Sequence, residues 1–144
     1  MTTLPFAVHA DELEEELLGS VSATYESNGN PGSISGGSGD LGGASYGAYQ
    51  FAGSYDVPLA FANWCVSSGE GKTTGQTLLT AYKKDGNTFN ENFKKAWQSL
   101  AEKDKDGFLR LQRLYIKAMY YQPAVEALKK QIMQNAKTLF FKLK

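Results

Sequence analysis

Apolar and polar positions change rhythm twice along this chain. From Asp11 to about Glu26, Leu13, Leu17, Leu18, Val21 and Tyr25 recur at helical spacing, with Glu12, Glu14, Glu15 and Glu16 on or near the other side. Asp11 is placed to cap that helix, and an acidic first turn suits its dipole. Asn28-Gly29-Asn30-Pro31 then stops it. Helical spacing returns from Phe89. Phe89, Phe93, Ala96, Trp97 and Leu100 make one stripe; Phe108, Leu111, Gln112, Tyr115 and Met119 make another, flanked by Leu109 and Ile116. Pro123 opens a further helix whose Val125, Leu128, Ile132, Ala136 and Leu139 are expected to face inward. The aromatics of these stripes read as core.

The middle of the chain, Asn28 to about Thr77, holds most of the glycine. Pro31, Ile34, Asp40, Leu41 and Tyr46 punctuate the run, so it reads as a tight irregular loop whose backbone approaches a ligand, rather than a linker. Tyr46 to Phe61 is compatible with short strands or a short helix. The pattern predicts one mainly α domain over residues 1–144, with α+β left open.

Composition narrows the chemistry. A chain of 144 residues, 42% hydrophobic and 21% charged, is that of a globular domain. Fifteen basic residues balance fifteen acidic ones, which removes the electrostatic argument for nucleic acid. No apolar run approaches the roughly 20 residues of a membrane span, and Met1 to Ala10 lacks the basic start and apolar core of a secretory signal. The expectation is synthesis in the cytoplasm and passage outward by another device.

The single cysteine, Cys65, lies among apolar residues and reads as an inert buried thiol. The single histidine, His9, rules out a multi-histidine zinc site and leaves a Ser-His-Asp or Cys-His arrangement only that one residue to use. Gly37-Ser38-Gly39-Asp40-Leu41-Gly42 matches a dinucleotide fingerprint in letters, but no buried strand precedes it and no helix follows. Gly71-Lys72-Thr73 resembles the end of a phosphate loop, yet the glycine required five residues earlier is Val66. Carboxylates remain as the candidate chemistry.

The ordered segment Glu26-Ser27, Asn30-Pro31 with Ser35, Gly39-Asp40-Leu41-Gly42-Gly43 and Ser45-Tyr46-Gly47-Ala48-Tyr49-Gln50 carries the specific signal. It resembles the lysozyme-like peptidoglycan hydrolases, the superfamily of lytic transglycosylases and goose-type lysozymes, and most nearly their phage-type muramidase and endolysin domains. Phe108 to Val125 extends the likeness, although Met119-Tyr120 stands where that group commonly has Thr-His, and Gln122 where it has Asp.

The resemblance implies a lysozyme-like helical domain with a glycine-rich, partly β segment beside a cleft. It implies cleavage of peptidoglycan glycan strands with Glu26 as general acid and no metal or organic cofactor. Chemistry agrees that a glycosidase needs a carboxyl of raised pKa, and Asp40 is the candidate second carboxylate. Ser27, Ser45, Tyr46, Tyr49 and Gln50 are the candidate substrate contacts. Rival readings are a glycan-binding or structural module on the same fold that has lost the chemistry, and a glycosidase acting on chitin or chitosan. The expected partners are glycan strands and a delivery partner or covering domain, with action at the cell wall or periplasm. The likeness also suggests a shortened C-terminus, which predicts an exposed apolar groove or a partner over it.

Overall fold

The computed structural model describes residues 12, 15, 16, 27, 29–36 and 43–143. Within them the chain is mainly helical with a small antiparallel sheet. The strands are β1 (Ile34–Gly36), β2 (Ala44–Tyr46) and β3 (Phe51–Ala52), in the order β1-β2-β3. Ile34 faces Tyr46 across the first pairing, and Tyr46 faces Phe51 across the second. A 3₁₀ turn (Gly53–Tyr55) leads into α1 (Val57–Ser68), α2 (Lys72–Lys84), α3 (Glu91–Lys103) and α4 (Lys105–Ile116). A π-helical turn (Lys117–Tyr121) then precedes α5 (Gln122–Lys142). The larger compact unit is Ser27–Tyr115; the other includes residues 116–143.

The expected first helix lies mostly outside the described residues; Glu12, Glu15 and Glu16 are helical and exposed. Tyr46 to Phe61, open to short strands or a short helix, holds β3, the 3₁₀ turn and the start of α1; the rest of α1 and all of α2 were not foreseen. α1 (VPLAFANWCVSS) buries Pro58, Phe61, Ala62 and Cys65 at helical spacing, but its half-buried and exposed positions include Val57, Leu59, Ala60, Trp64 and Val66, so no polar face sets the stripe off. It ends at Gly69, whose positive φ of 76° closes the helix with an N–H to the Val66 carbonyl. α2 contains Gly75 because the two helices touch there: an added Cβ would lie 2.5 Å from the Ala62 carbonyl oxygen and 2.7 Å from Val66 Cγ2. A helix former at that site would force the pair apart.

Asp85 ends α2 and starts α3. Its carboxylate accepts the backbone N–H groups of Asn90, Asn92 and Phe93 at 3.0, 3.0 and 2.8 Å, and the Asn92 side-chain amide at 2.9 Å. These donors are the otherwise unpaired N–H groups of a helix start. Partial burial pushes the Asp85 pKa up, but the hydrogen bonds from Phe93, Asn92 and Asn90 outweigh it and hold the carboxyl below its ordinary range.

The core of this unit is aromatic. Tyr46, Phe61, Phe93 and Trp97 are fully buried, with Phe51, Phe108 and Tyr115 nearly so. Trp97 meets Phe108 edge-on at 4.9 Å and Tyr46 at 5.4 Å, and Phe51 meets Tyr115 edge-on at 5.5 Å. Edge-to-face pairs of this kind contribute about 0.5–1.5 kcal/mol each beyond their buried area. The stripes foreseen on α3 and α4 supply Phe93, Trp97, Phe108 and Tyr115, while Tyr46 and Phe51 come from the sheet and Phe61 from α1. The second stripe breaks at Met119, which is 51% exposed. Met119 lies within the π turn, where the spacing of an α-helix no longer holds. On α5, Val125, Leu128, Ile132 and Ala136 are half-buried, while Leu139 is exposed.

Candidate functional site

Glu26 and Asp40, the two expected catalytic carboxylates, lie outside the described residues, as does His9. Of the remaining site residues, Ser45 and Tyr46 lie on β2, and Ser27, Tyr49 and Gln50 fall on two turns that meet beside the sheet. Ser27 Oγ donates to the Ala48 carbonyl at 2.8 Å and accepts the Gly29 N–H at 3.0 Å. Its own carbonyl accepts from Arg113 Nη2 at 3.0 Å, which fastens the chain here to α4. Asn30 Oδ1 accepts the Gly32 N–H at 2.9 Å, and the Asn30 carbonyl accepts the Ser33 N–H. The Asn-Pro sequence therefore builds its own turn.

The second turn, residues 47–50, is clamped to the first. Gly47 donates to the Ser33 carbonyl at 2.7 Å. Gln112 of α4, wholly buried, donates from Nε2 to the Pro31 carbonyl at 3.0 Å and accepts the Ala48 N–H on Oε1 at 2.9 Å. Trp97 Nε1 donates to the same Pro31 carbonyl at 2.8 Å. One amide, in the only orientation both neighbours accept, thus joins the two turns. Gly47 gives it room: at φ 83° an added Cβ would lie 2.6 Å from Gln112 Oε1. Gln112 was read as a member of the α4 stripe and not as a site residue. The available signal was an amide in an apolar stripe, which demands buried partners.

Tyr46, expected at the surface of a cleft, is in the core. Its ring packs against Phe89, Phe93 and Trp97, and its hydroxyl is buried with no hydrogen-bond partner among the described residues. Burial, with the nearby negative charge of Asp85, pushes its pKa up to about 12. Ser45 sits in the middle of β2, opposite Ser35 on one side and Ala52 on the other, and is half-buried. Tyr49 is half-buried and stacks on Phe51 at 6.3 Å.

Gln50 is exposed and holds a φ of 55°, which a residue with a long side chain rarely adopts. Its Nε2 donates to the Gly47 carbonyl at 3.1 Å, and its Oε1 accepts from Ser35 Oγ at 2.9 Å. The amide is fixed in place with one N–H and one lone pair still open. Cys65 is buried, and burial pushes its thiol up to about 12, so it is a core residue rather than a nucleophile. Among the described residues no group of three or more His, Cys, Asp or Glu is placed to hold a metal, and no helix is long and apolar enough to cross a membrane.

A mainly helical domain with a small meander, two interlocked turns and a fixed surface amide is the class of protein these features define. Residues 18–138 match the family model described as the type VI secretion system spike protein VgrG3-like C-terminal domain, and the chain belongs to that family. It is 35% identical over 105 residues to the type VI secretion system spike protein VgrG3 of Vibrio cholerae serotype O1 (strain ATCC 39315 / El Tor Inaba N16961). That alignment covers 72% of this chain and 9% of the relative, so the chain corresponds to a small part of that protein.

These matches correct the lysozyme-like assignment. The family is that of a secretion-spike domain, and neither match identifies a peptidoglycan glycosidase, an endolysin, a phage muramidase, a lytic transglycosylase or a chitin-cleaving enzyme. The assignment to an enzyme with Glu26 as general acid falls with it. The physical reason is visible in the motif. Asn30-Pro31 forms a turn held by Trp97 and Gln112, Gly47 makes room for Gln112, and Tyr46 is core. A motif so largely engaged in packing identifies a scaffold, and a scaffold does not specify its chemistry.

Proposed function

We propose that this domain is carried at the C-terminal end of a type VI secretion spike, leaves the producing cell with it, and contacts the glycan strands of peptidoglycan in the target. The observation that carries the spike reading is the family match over residues 18–138. The absence of any requirement for a secretory signal follows from it, because the spike supplies passage. Synthesis in the cytoplasm and arrival at the wall or periplasm of another cell belong to the same proposal.

Support for the glycan partner comes from the exposed end of the second turn. A non-glycine residue at φ 55° is a strained conformation, costing on the order of 1–3 kcal/mol, and such strain concentrates where a side chain must be presented. Gln50 presents an amide with an open donor and an open acceptor, and Tyr49 stands beside it with a half-buried ring. Sugar hydroxyl and acetamido groups are matched by that pair. Ser27 ties the first turn to the second through the Ala48 carbonyl.

The test has two arms. Joined to a spike in a type VI-competent strain, the tagged domain is expected in the medium, and to stay inside when sheath contraction is disabled. Purified chain is expected to sediment with peptidoglycan sacculi, and Gln50→Ala to weaken that binding about fivefold, the loss of roughly one neutral hydrogen bond. Release that ignores sheath contraction would sink the spike reading; sacculi that fail to carry the chain down would sink the glycan partner.

A further inference from the structure

Apolar residues recur along α5 at Val125, Leu128, Ile132 and Ala136, and all four are half-buried. Their spacing puts them on one side of the helix, while Glu126, Lys129, Lys130 and Lys137 are exposed. Among the described residues, nothing but the π turn that runs into α5 packs closely on it. A half-buried stripe needs a cover, and charge says of what kind. α5 carries Lys129, Lys130, Lys137 and Lys142 against one acid, Glu126. A second copy of α5 would bring lysines onto lysines. A separate protein or a lipid surface would leave the stripe bare in the lone chain.

One stretch of this chain has the matching properties. From Asp11 to Glu26 the sequence carries Leu13, Leu17, Val21 and Tyr25 at every fourth position, and no lysine or arginine. Asp11, Glu12, Glu14, Glu15 and Glu16 concentrate negative charge at one end of it. Glu12, Glu15 and Glu16, its described residues, are helical and exposed, as the polar side of such a helix would be. The two apolar stripes also agree in length: as helices, Leu13 to Tyr25 spans about 18 Å and Val125 to Ala136 about 17 Å. Connection favours the same stretch. Ser27, the residue that follows it, is bonded through its carbonyl to Arg113 Nη2, shortly before α5 in the chain.

We propose that the segment Asp11–Glu26 is the cover of α5, docked along its apolar stripe and antiparallel to it. Charge sets the direction. Antiparallel, Leu13 meets Ala136, Leu17 meets Ile132, Val21 meets Leu128 and Tyr25 meets Val125, and the acidic end falls beside Lys137. A parallel course would set the same acids beside Glu126. Continued in the antiparallel direction, the apolar run Leu4 to Val8 reaches the hollow of about 490 Å³ lined by Met133, Leu139 and Phe141.

Cysteine pairs in the full chain, oxidised with copper phenanthroline and read on non-reducing gels, test the docking; the native Cys65 is buried and out of reach. Leu13→Cys with Ala136→Cys, and Val21→Cys with Leu128→Cys, are each expected to close an intramolecular disulfide. Leu13→Cys with Val125→Cys, matched to the parallel course, is expected to stay reduced. A second measurement uses only exposed positions. Glu12→Lys, Glu15→Lys and Glu16→Lys together should speed deuterium exchange at Leu128 and Ile132 roughly threefold at low salt. Adding Lys130→Glu and Lys137→Glu should restore the slower rate.

Failure of both antiparallel pairs to close, or equal closure of the parallel pair, would overturn the proposal. Disulfide-linked dimers would overturn it in favour of a second copy. Pairs that stay reduced, in a chain that sediments with phosphatidylglycerol vesicles, would overturn it in favour of a lipid surface. If the cysteine variants do not fold, exchange at Leu128 and Ile132 that ignores the charge reversal overturns it instead.

Discussion

Gln112 is a wholly buried amide that ties together segments far apart in sequence. It lies 64 residues from Ala48 and 81 from Pro31 in sequence, and hydrogen-bonds both. Replacing it with leucine keeps the volume but leaves the Ala48 N–H without its acceptor in a water-free setting. The expected loss is about 2–3 kcal/mol, read from urea unfolding. A change under about 0.5 kcal/mol would mean that the clamp contributes little. The candidate residues nearest to it in sequence pattern were legible as a motif, but their roles were not. A motif shows which residues recur together, while burial decides whether a tyrosine such as Tyr46 faces ligand or core.

Helix boundaries were read with mixed success, and the reasons differ by element. α3 and α4 have one apolar face each and were plain in the spacing. α1 carries apolar residues such as Leu59, Ala60 and Val66 off its buried face, so no polar side marked its period. The π turn could not be read at all, because an extra residue per turn leaves no mark on composition. The start of α3 depends on a residue outside it, Asp85, whose carboxylate collects four hydrogen bonds. Because the folded pKa of Asp85 is depressed, its contribution is complete above the ordinary aspartate range and is lost as pH falls through the folded value. The melting temperature of wild type should therefore exceed that of Asp85→Asn at neutral pH, and the gap should close as the solution is acidified below the aspartate range. A gap that holds steady down to the most acidic pH would refute the capping role.

Taken whole, burial is uneven along the chain. The unit Ser27–Tyr115 holds nearly all of the fully buried side chains, whereas no residue of α5 is buried. The far end of α5 carries Met133, Leu139, Phe140, Phe141 and Leu143 around an apolar hollow of about 490 Å³. Local stability follows burial. Amides of Phe93, Trp97, Leu111 and Gln112 are expected to exchange with deuterium only through global opening, and those from Gln134 onward at least about tenfold faster. Equal protection across α5 and α3 would contradict this division.

The helical class, the core stripes of α3 and α4 and the inert Cys65 could all be derived from residue order, because they rest on spacing and on side-chain chemistry within a few turns. The union of the two turns could not. It depends on Gln112, Trp97 and Pro31 meeting across more than sixty positions, and on Gly47 leaving room at a contact that exists only in three dimensions. The same holds for function. Paired turns and an ordered motif are compatible with several chemistries, and only their packing shows how much of the motif is scaffold: Tyr46 is in the core, while Gln50 is exposed.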